Sequence, residues 1–165
     1  MAKFKFAAAL SAVALMLAGQ AHAASFDPRR PADFGQILKG VGVTGEVKTD
    51  ETGQLYFDAK RDDFIYSVEF RDCIAASGLC QSAYYMAFWN VDAPTPTVMN
   101  LWNDVTYFCT VFEGEDGHAY LKMGFLPKAS NTREDVVFDH GRWLQCVDAF
   151  KGMMADPEAF VNSID

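Results

Sequence analysis

The chain has 165 residues, of which 50% are hydrophobic and 14% aromatic, and its formal net charge is −8 at pH 7. This composition is typical of a folded globular domain and excludes an intrinsically disordered chain. The acidic balance argues against binding to nucleic acid or to anionic lipid, because both depend on clustered lysine and arginine side chains.

The first 23 residues have the three parts of a cleavable secretory signal. Lys3 and Lys5 form a basic start, residues 6–18 are almost purely apolar, and residues 21–23 are the small cleavage-site sequence Ala-His-Ala. The apolar run is too short to cross a bilayer comfortably as a helix. We therefore expect residues 1–23 to be removed, with no membrane insertion and a bacterial periplasmic or secreted location. Removing two lysines and no acids changes the net charge from −8 to −10.

After the signal, the sequence predicts a flexible lead-in at residues 24–32 and a single domain at residues 33–165. The expected elements begin with a helix at 32–39 and strands at 43–49, 54–59, 64–71 and 82–90. A helix at 97–104 and strands at 105–112 and 118–125 follow. The last elements are a long helix, capped by Asn131 and Glu134 and interrupted at 152–157, and a short helix from Pro157. Short turns between successive strands imply antiparallel pairing. The predicted fold class is α+β, a two-layer antiparallel sheet with helices packed on one face.

Four cysteines follow the signal, and four cysteines allow three pairings. If strands 64–71 and 82–90 form a hairpin, Cys73 and Cys80 face each other across its mouth, at a distance that a disulfide can close. A second bond between Cys109 and Cys146 would join a strand to the overlying helix. An oxidising compartment outside the cytoplasm favours such bonds.

No catalytic, metal or cofactor motif stands out, so we predict no enzyme and no cofactor. His118 and His140 remain after the signal, and we interpret them as a surface side chain and a helix side chain satisfied by a hydrogen bond. The alternative is a hydrolase in which Asp139 and His140 meet a nucleophile such as Ser67 or Ser82. The cysteine spacing does not fit a zinc site. The acidic stretches are typical of solvated hairpin turns.

Neighbouring aromatic residues occur twice in the strand at 82–90. Adjacent side chains of a strand point to opposite faces, so Tyr84 with Tyr85, and Phe88 with Trp89, place aromatic rings on both faces of the sheet. Such a sheet is either covered on both sides or offers a surface to a partner. Ordinary core and rim packing is the other interpretation.

Two segments, Cys80–Phe88 (CQSAYYMAF) and Met99–Asn103 (MNLWN), resemble the YbjN-like family of bacterial domains. The resemblance extends over residues 34–150. It implies a fold similar to that of type III secretion chaperones, a twisted antiparallel sheet packed by helices and often dimeric, which binds protein segments and does no covalent chemistry. The chain departs from the family pattern at residues 127–132 and in carrying cysteines at positions 109 and 146.

The resemblance implies a chaperone-like, non-catalytic module that binds a protein or peptide partner, with a homodimer as one arrangement. Together with the secretory signal, it leads us to expect an exported protein that finds its partner in the cell envelope. The candidate partner-binding residues are Tyr85, Trp89, Trp102 and Asn103. An alternative role for Trp102 and Asn103 is architectural, because an amide side chain can tie a short helix to a neighbouring loop. A binder of small ligands, using a cavity between sheet and helices, is the alternative function.

Overall fold

A computed structural model of the protein describes residues 26–164, so the predicted signal lies outside the described residues. The elements are α1 (Pro31–Gly40), β1 (Thr44–Thr49), β2 (Leu55–Arg61), β3 (Phe64–Arg71), β4 (Ser82–Asp92), α2 (Pro96–Val105), β5 (Thr110–Glu113), β6 (His118–Phe125), α3 (Arg133–Ala155) and α4 (Pro157–Asn162). Their order agrees with the predicted order of helices and strands.

The six strands form one sheet in the order β1-β2-β3-β4-β6-β5, and every neighbouring pair is antiparallel. β1 to β4 form a meander. After β4, helix α2 carries the chain back along the sheet, so β5 starts at the opposite end and lies on the outer edge beyond β6. The predicted α+β fold with an antiparallel sheet is confirmed.

The hydrophobic core lies between one face of this sheet and the helices. Phe34 of α1 and both Trp143 and Phe150 of α3 are buried there. Tyr85 of β4 stacks on Trp143 with ring centroids 5.5 Å apart, and Phe70 of β3 meets Phe34 edge-on at 5.6 Å. Burying an aliphatic or aromatic side chain contributes about 1.5–3 kcal/mol to the folded state.

The two shorter helices that follow the meander lie on the same side of the sheet as α1 and α3. Trp102 of α2 contacts Phe150 of α3 and Phe160 of α4, with ring centroids 5.8 Å apart in both pairs. Trp102 is 2% exposed, so it anchors α2 to the core. The helices therefore cover one face of the sheet, as predicted.

The strand predicted at residues 105–112 is wrong over its first half. Val105 still belongs to α2. The hydroxyl of Thr106 lies 2.7 Å from the backbone oxygen of Trp102 and 2.9 Å from that of Cys109, which holds residues 106–109 as a loop. β-branched and aromatic residues favour strands, but their preference is easily overridden by such local hydrogen bonds.

Helix α3 has a different cap and a greater length than predicted. Its N-cap is Thr132, whose hydroxyl accepts a hydrogen bond from the backbone N–H of Asp135, while the Asp135 carboxylate accepts one from the N–H of Thr132. This is a capping box, so the predicted cap at Asn131 is wrong by one residue. The interruption predicted at residues 152–157 is present but narrower, because α3 continues to Ala155 and only Asp156 separates it from α4.

Residues 26–30 are held against the domain, in the segment predicted as a flexible lead-in. Asp27 is 8% exposed and makes a two-point ion pair with Arg29, with Oδ1 2.9 Å from Nε and Oδ2 2.7 Å from Nη2. The bound guanidinium lowers the pKa of the Asp27 carboxyl. The backbone N–H of Cys80 donates to the backbone oxygen of Arg29. The ordered domain therefore includes residues before the predicted start at residue 33.

The structure pairs Cys73 with Cys80 and Cys109 with Cys146, as predicted. The first disulfide closes the loop between β3 and β4. The second joins the residue before β5 to α3, and its Cα atoms are 6.3 Å apart. Both bonds therefore hold loops against the rigid sheet and helix layers.

Candidate functional site

The sheet face that points away from the helices, which we call the open face, carries apolar side chains that are exposed or half-buried. Four of them form one line across the strands, which we call the apolar row: Ile65 of β3, Phe88 of β4, Tyr120 of β6 and Phe112 of β5. Phe88 and Phe112 both pair with Tyr120 in the strand register, and the β3–β4 register brings Ile65 next to Phe88. Ile65 is 63% exposed and Phe88 is 58% exposed, although both are strongly apolar.

The aromatic part of the apolar row is a ladder of three stacked rings. The ring of Tyr120 lies between those of Phe88 and Phe112, with centroid distances of 5.8 and 5.3 Å. The Tyr120 hydroxyl donates to the carboxylate of Asp116 at 3.0 Å. Gly114 permits this arrangement, because a Cβ at that position would lie 2.4 Å from the Tyr120 ring. The turn between β5 and β6 therefore fixes the central ring of the ladder.

A shallow pocket opens beside the row, with a volume of about 200 Å³. Its lining residues include Ile65, Ser67, Met86, Phe88 and Tyr120. Most of these groups are apolar, and a pocket of this kind suits an apolar side chain of a partner. The open face thus combines a raised aromatic ladder with a recess next to it.

The rest of the open face is polar and its charges are paired. Arg71 binds the carboxylate of Glu69 at 2.7 Å and also contacts the hydroxyl of Tyr84. Lys122 lies over the Tyr84 ring, with Nζ 3.9 Å from the centroid. Burial is the main cause that raises the pKa of Tyr84. These contacts leave the side chains of the polar part engaged with one another, in contrast to the apolar row.

None of the four predicted partner-binding residues lies on the open face. Tyr85 and Trp102 are 0% and 2% exposed, so this part of the prediction is wrong and both belong to the core. Trp89 points to the helix side and packs on a phenylalanine of α3. The amide of Asn103 donates to the backbone oxygen of Val111 at 3.0 Å and accepts from its N–H at 2.8 Å. The architectural alternative therefore describes Trp102 and Asn103 correctly.

The residues of the hydrolase alternative are kept apart by the fold. His140 is 2% exposed, and its Nε2 shares a hydrogen bond of 2.8 Å with the hydroxyl of Tyr66. Ser67 follows Tyr66 in β3 and therefore points to the opposite face. Ser82 donates its hydroxyl to Asp72. The interpretation of His140 as a helix histidine satisfied by a hydrogen bond is confirmed, and its partner Tyr66 was not identified from the sequence.

Sites for a metal ion and for a small ligand are the other kinds of site on which the structure bears. Among residues 26–164, no group of three or more histidine, cysteine or acidic side chains is placed to hold a metal ion. A groove of about 560 Å³ lies between the β2–β3 turn and α3, lined in part by Arg61, Phe64, Asp148 and Lys151. This groove mixes charges of both signs with apolar side chains.

Comparisons with known proteins give one match. The family model YbjN, described as "Putative bacterial sensory transduction regulator", matches residues 33–149, which include every strand and every member of the apolar row. Searches of the curated proteins and of the solved structures return no significant match. In the part of the chain that the structure describes, no helix is long and apolar enough to span a membrane.

Proposed function

The chain belongs to the YbjN family, and from this premise we propose that it is a non-catalytic binding protein whose open face takes an extended segment of a protein partner. We further propose that it acts outside the cytoplasm. The secretory-type sequence of residues 1–23 and the two disulfide pairs support that location. A family described as a regulator is consistent with a role in binding.

The observation that carries the proposal is the exposed apolar row. Folded proteins seldom leave contiguous apolar side chains in water unless they contact a partner. Here Ile65 and Phe88 expose more than half of their surface while belonging to the two central strands β3 and β4. Exposed aromatic side chains in such a position are also the type that dominates binding energy at interfaces.

The shape of the open face favours an extended segment over a folded protrusion. Neighbouring strands are about 4.8 Å apart, so four side chains in a row span about 15 Å. An extended chain presents every second side chain on one side, at intervals of about 7 Å. Two or three alternate apolar side chains of a partner can therefore contact the row, and one of them can enter the pocket of about 200 Å³ beside Met86.

The proposal can be tested by selecting peptides from a displayed library of extended sequences against the oxidised protein. Each selected peptide is then measured against the double variant Ile65→Ser and Phe88→Ser. Because two exposed apolar contacts are removed, we expect at least about thirtyfold weaker binding. Both positions are on the surface, so the thermal unfolding temperature should change little.

Phe138→Ser is the matched control for the selection. Phe138 is 66% exposed, but it lies on α3 at the other side of the molecule. This control should bind the selected peptides within about twofold of the unchanged protein, since isolated surface substitutions have small effects. Peptides that bind the double variant as tightly as the unchanged protein would contradict the proposal.

A further inference from the structure

Six exposed carboxylates border the apolar row at one end of the sheet. They lie in the β2–β3 turn, at the end of β4 and in the β5–β6 turn, and we call them the acidic rim: Asp62, Asp63, Asp92, Glu113, Glu115 and Asp116. The antiparallel topology brings these carboxylates together, because β2, β4 and β5 end at the same end of the sheet at which β3 and β6 begin. These three segments are far apart in sequence and adjacent in the fold.

The rim carries an excess of negative charge. The ion pairs within residues 26–164 include none of the six rim carboxylates. Lys60 and Arg61 are the cations in the strands next to the rim, and Lys151 and Asp148 of α3 line the groove beside the β2–β3 turn. With Asp148 counted, seven carboxylates against three cations leave four negative charges in excess. The backbone N–H of His118 donates a hydrogen bond to Asp116 and is the main cause that lowers the pKa of this carboxyl, and the Tyr120 hydroxyl lowers it to a smaller extent.

The rim is close enough to the row to act on the same ligand. Asp63 precedes Ile65 by two residues, and the carboxylate of Asp116 accepts a hydrogen bond from the hydroxyl of Tyr120, a member of the row, at 3.0 Å. At about 3.3 Å per residue these carboxylates lie within about 7 Å of the row along the strands. Charges at that separation are not fully screened, because the Debye length is about 8 Å at physiological ionic strength.

The polar part of the open face beyond the apolar row offers no comparable excess. There Glu69 is paired with Arg71, and Asp58 with Lys48 at 2.6 Å. The open face is therefore negatively charged on one side of the apolar row and nearly neutral on the other, which can orient a bound ligand. A ligand with positive charge at one end would place that end at the rim.

We propose that the segment taken by the open face joins apolar side chains to lysine or arginine, with the cations at the acidic rim. This inference rests on the proposed function and names the chemistry of its partner. The same charge argues against a second copy of the chain on this face, because two copies that are each strongly acidic repel one another. Opposite charges across an interface mainly determine specificity and the rate of association.

Three short synthetic peptides test the proposal. The first has apolar residues at alternate positions and two lysines at one end, the second has two glutamates in place of the lysines, and the third keeps the lysines but has serines in place of the apolar residues. We expect the first peptide to bind about tenfold more tightly than the second, because several opposite charges act on it together. The preference should shrink at high salt. The third peptide should bind more weakly than the first.

The rim variant with Asp63→Asn and Glu115→Gln should lose most of the preference for lysine. Glu158→Gln removes an exposed carboxylate of α4 and should leave the preference unchanged. Equal affinity for the lysine and glutamate peptides would overturn this inference. If the Phe88→Ser variant then bound neither peptide, the proposed function would still be supported. Binding of the serine peptide as tight as that of the first would contradict both. Self-association that Phe88→Ser abolishes would assign the face to a second copy and overturn the inference.

Discussion

The free energy of unfolding is expected to fall by about 3 kcal/mol between about pH 7 and pH 4 through one buried group, His140. The side chain is 2% exposed, and burial lowers its pKa from 6.5 to about 4, with the charge of Arg61 as a smaller cause. Its ring lies against those of Tyr66 and Tyr85, with centroids 6.0 and 6.1 Å away. A protonated His140 would lose its hydration to these aromatic rings, so the folded chain resists protonation.

The direction of the effect follows from the two protonation equilibria. Above about pH 6.5 His140 is neutral in the folded and in the unfolded chain, and its contribution to stability is complete. Below that pH the unfolded chain gains a proton that the folded chain resists. Stability then decreases by about 1.4 kcal/mol per pH unit until the pH reaches the folded pKa near 4.

Urea unfolding at a series of pH values, with His140→Gln beside the unchanged protein, measures this contribution. Glutamine keeps a polar group near Tyr66 but does not titrate, so the variant should lose about 3 kcal/mol less over the same range. Tyr66→Phe is the matched control. It should lower stability by about 1 kcal/mol at neutral pH while keeping the acid sensitivity, since His140 stays buried. Equal acid sensitivity of His140→Gln and the unchanged protein would contradict the assignment.

Gly45→Ala is expected to destabilise the fold by about 3–5 kcal/mol. Gly45 lies in the edge strand β1 opposite Ala59, with φ at +152°. A Cβ at this position would be 1.9 Å from the backbone oxygen of Asp58. The backbone of β1 fixes the position of this Cβ, and the backbone of β2 fixes that of the Asp58 oxygen. Neither atom can rotate away, so β1 would have to separate from β2.

Gly124→Ala is the matched control for this substitution. Gly124 also lies in a strand, β6, but a Cβ there would have no neighbour within 4 Å. Alanine at that position should be neutral or stabilise the fold by about 0.5–1 kcal/mol, because glycine loses more chain entropy on folding. Urea unfolding measures the free energy of unfolding of both variants. A Gly45→Ala protein within about 1 kcal/mol of the Gly124→Ala protein would mean that the close approach is not required.

The elements that could be predicted were those with a local signal. The alternation in residues 64–71 gives the bounds of β3, and the hairpin spacing of Cys73 and Cys80 indicates their pairing. The loop at 106–109 could not be predicted in this way. Its aromatic residues favour a strand, while the hydrogen bonds of Thr106 that oppose it depend on the final position of Cys109.

The candidate site could be predicted only in part. Period-two alternation shows that Phe88 and Trp89 point to opposite faces, but not which face the helices cover. The contact between Phe88 and Tyr120 depends on the β4–β6 register, and the two residues are far apart in sequence. For the same reason the alternation does not show which of Tyr84 and Tyr85 is buried. The burial of Tyr85 follows from the position of α3, which no local pattern specifies.

The proposed role of the open face also explains why the second side of the sheet stays uncovered. A third layer on that side would bury Ile65 and Phe88 permanently and add to stability. Instead the core on the helix side is built from large rings such as Trp143 and Phe150, which holds the sheet without a second cover. The face that remains is rigid, because it belongs to the same strands that form the core, and a rigid surface loses less entropy on binding.

The most direct measurement is site-specific photo-cross-linking of the full-length protein in the cells that make it. A photoreactive phenylalanine analogue replaces either Phe88 on the open face or Phe138 on α3, which are similarly exposed. We expect a cross-linked protein adduct from position 88 and none from position 138. Its attached peptide should contain apolar residues next to lysine or arginine. Adducts from position 138 with none from position 88 would contradict a binding role for the open face.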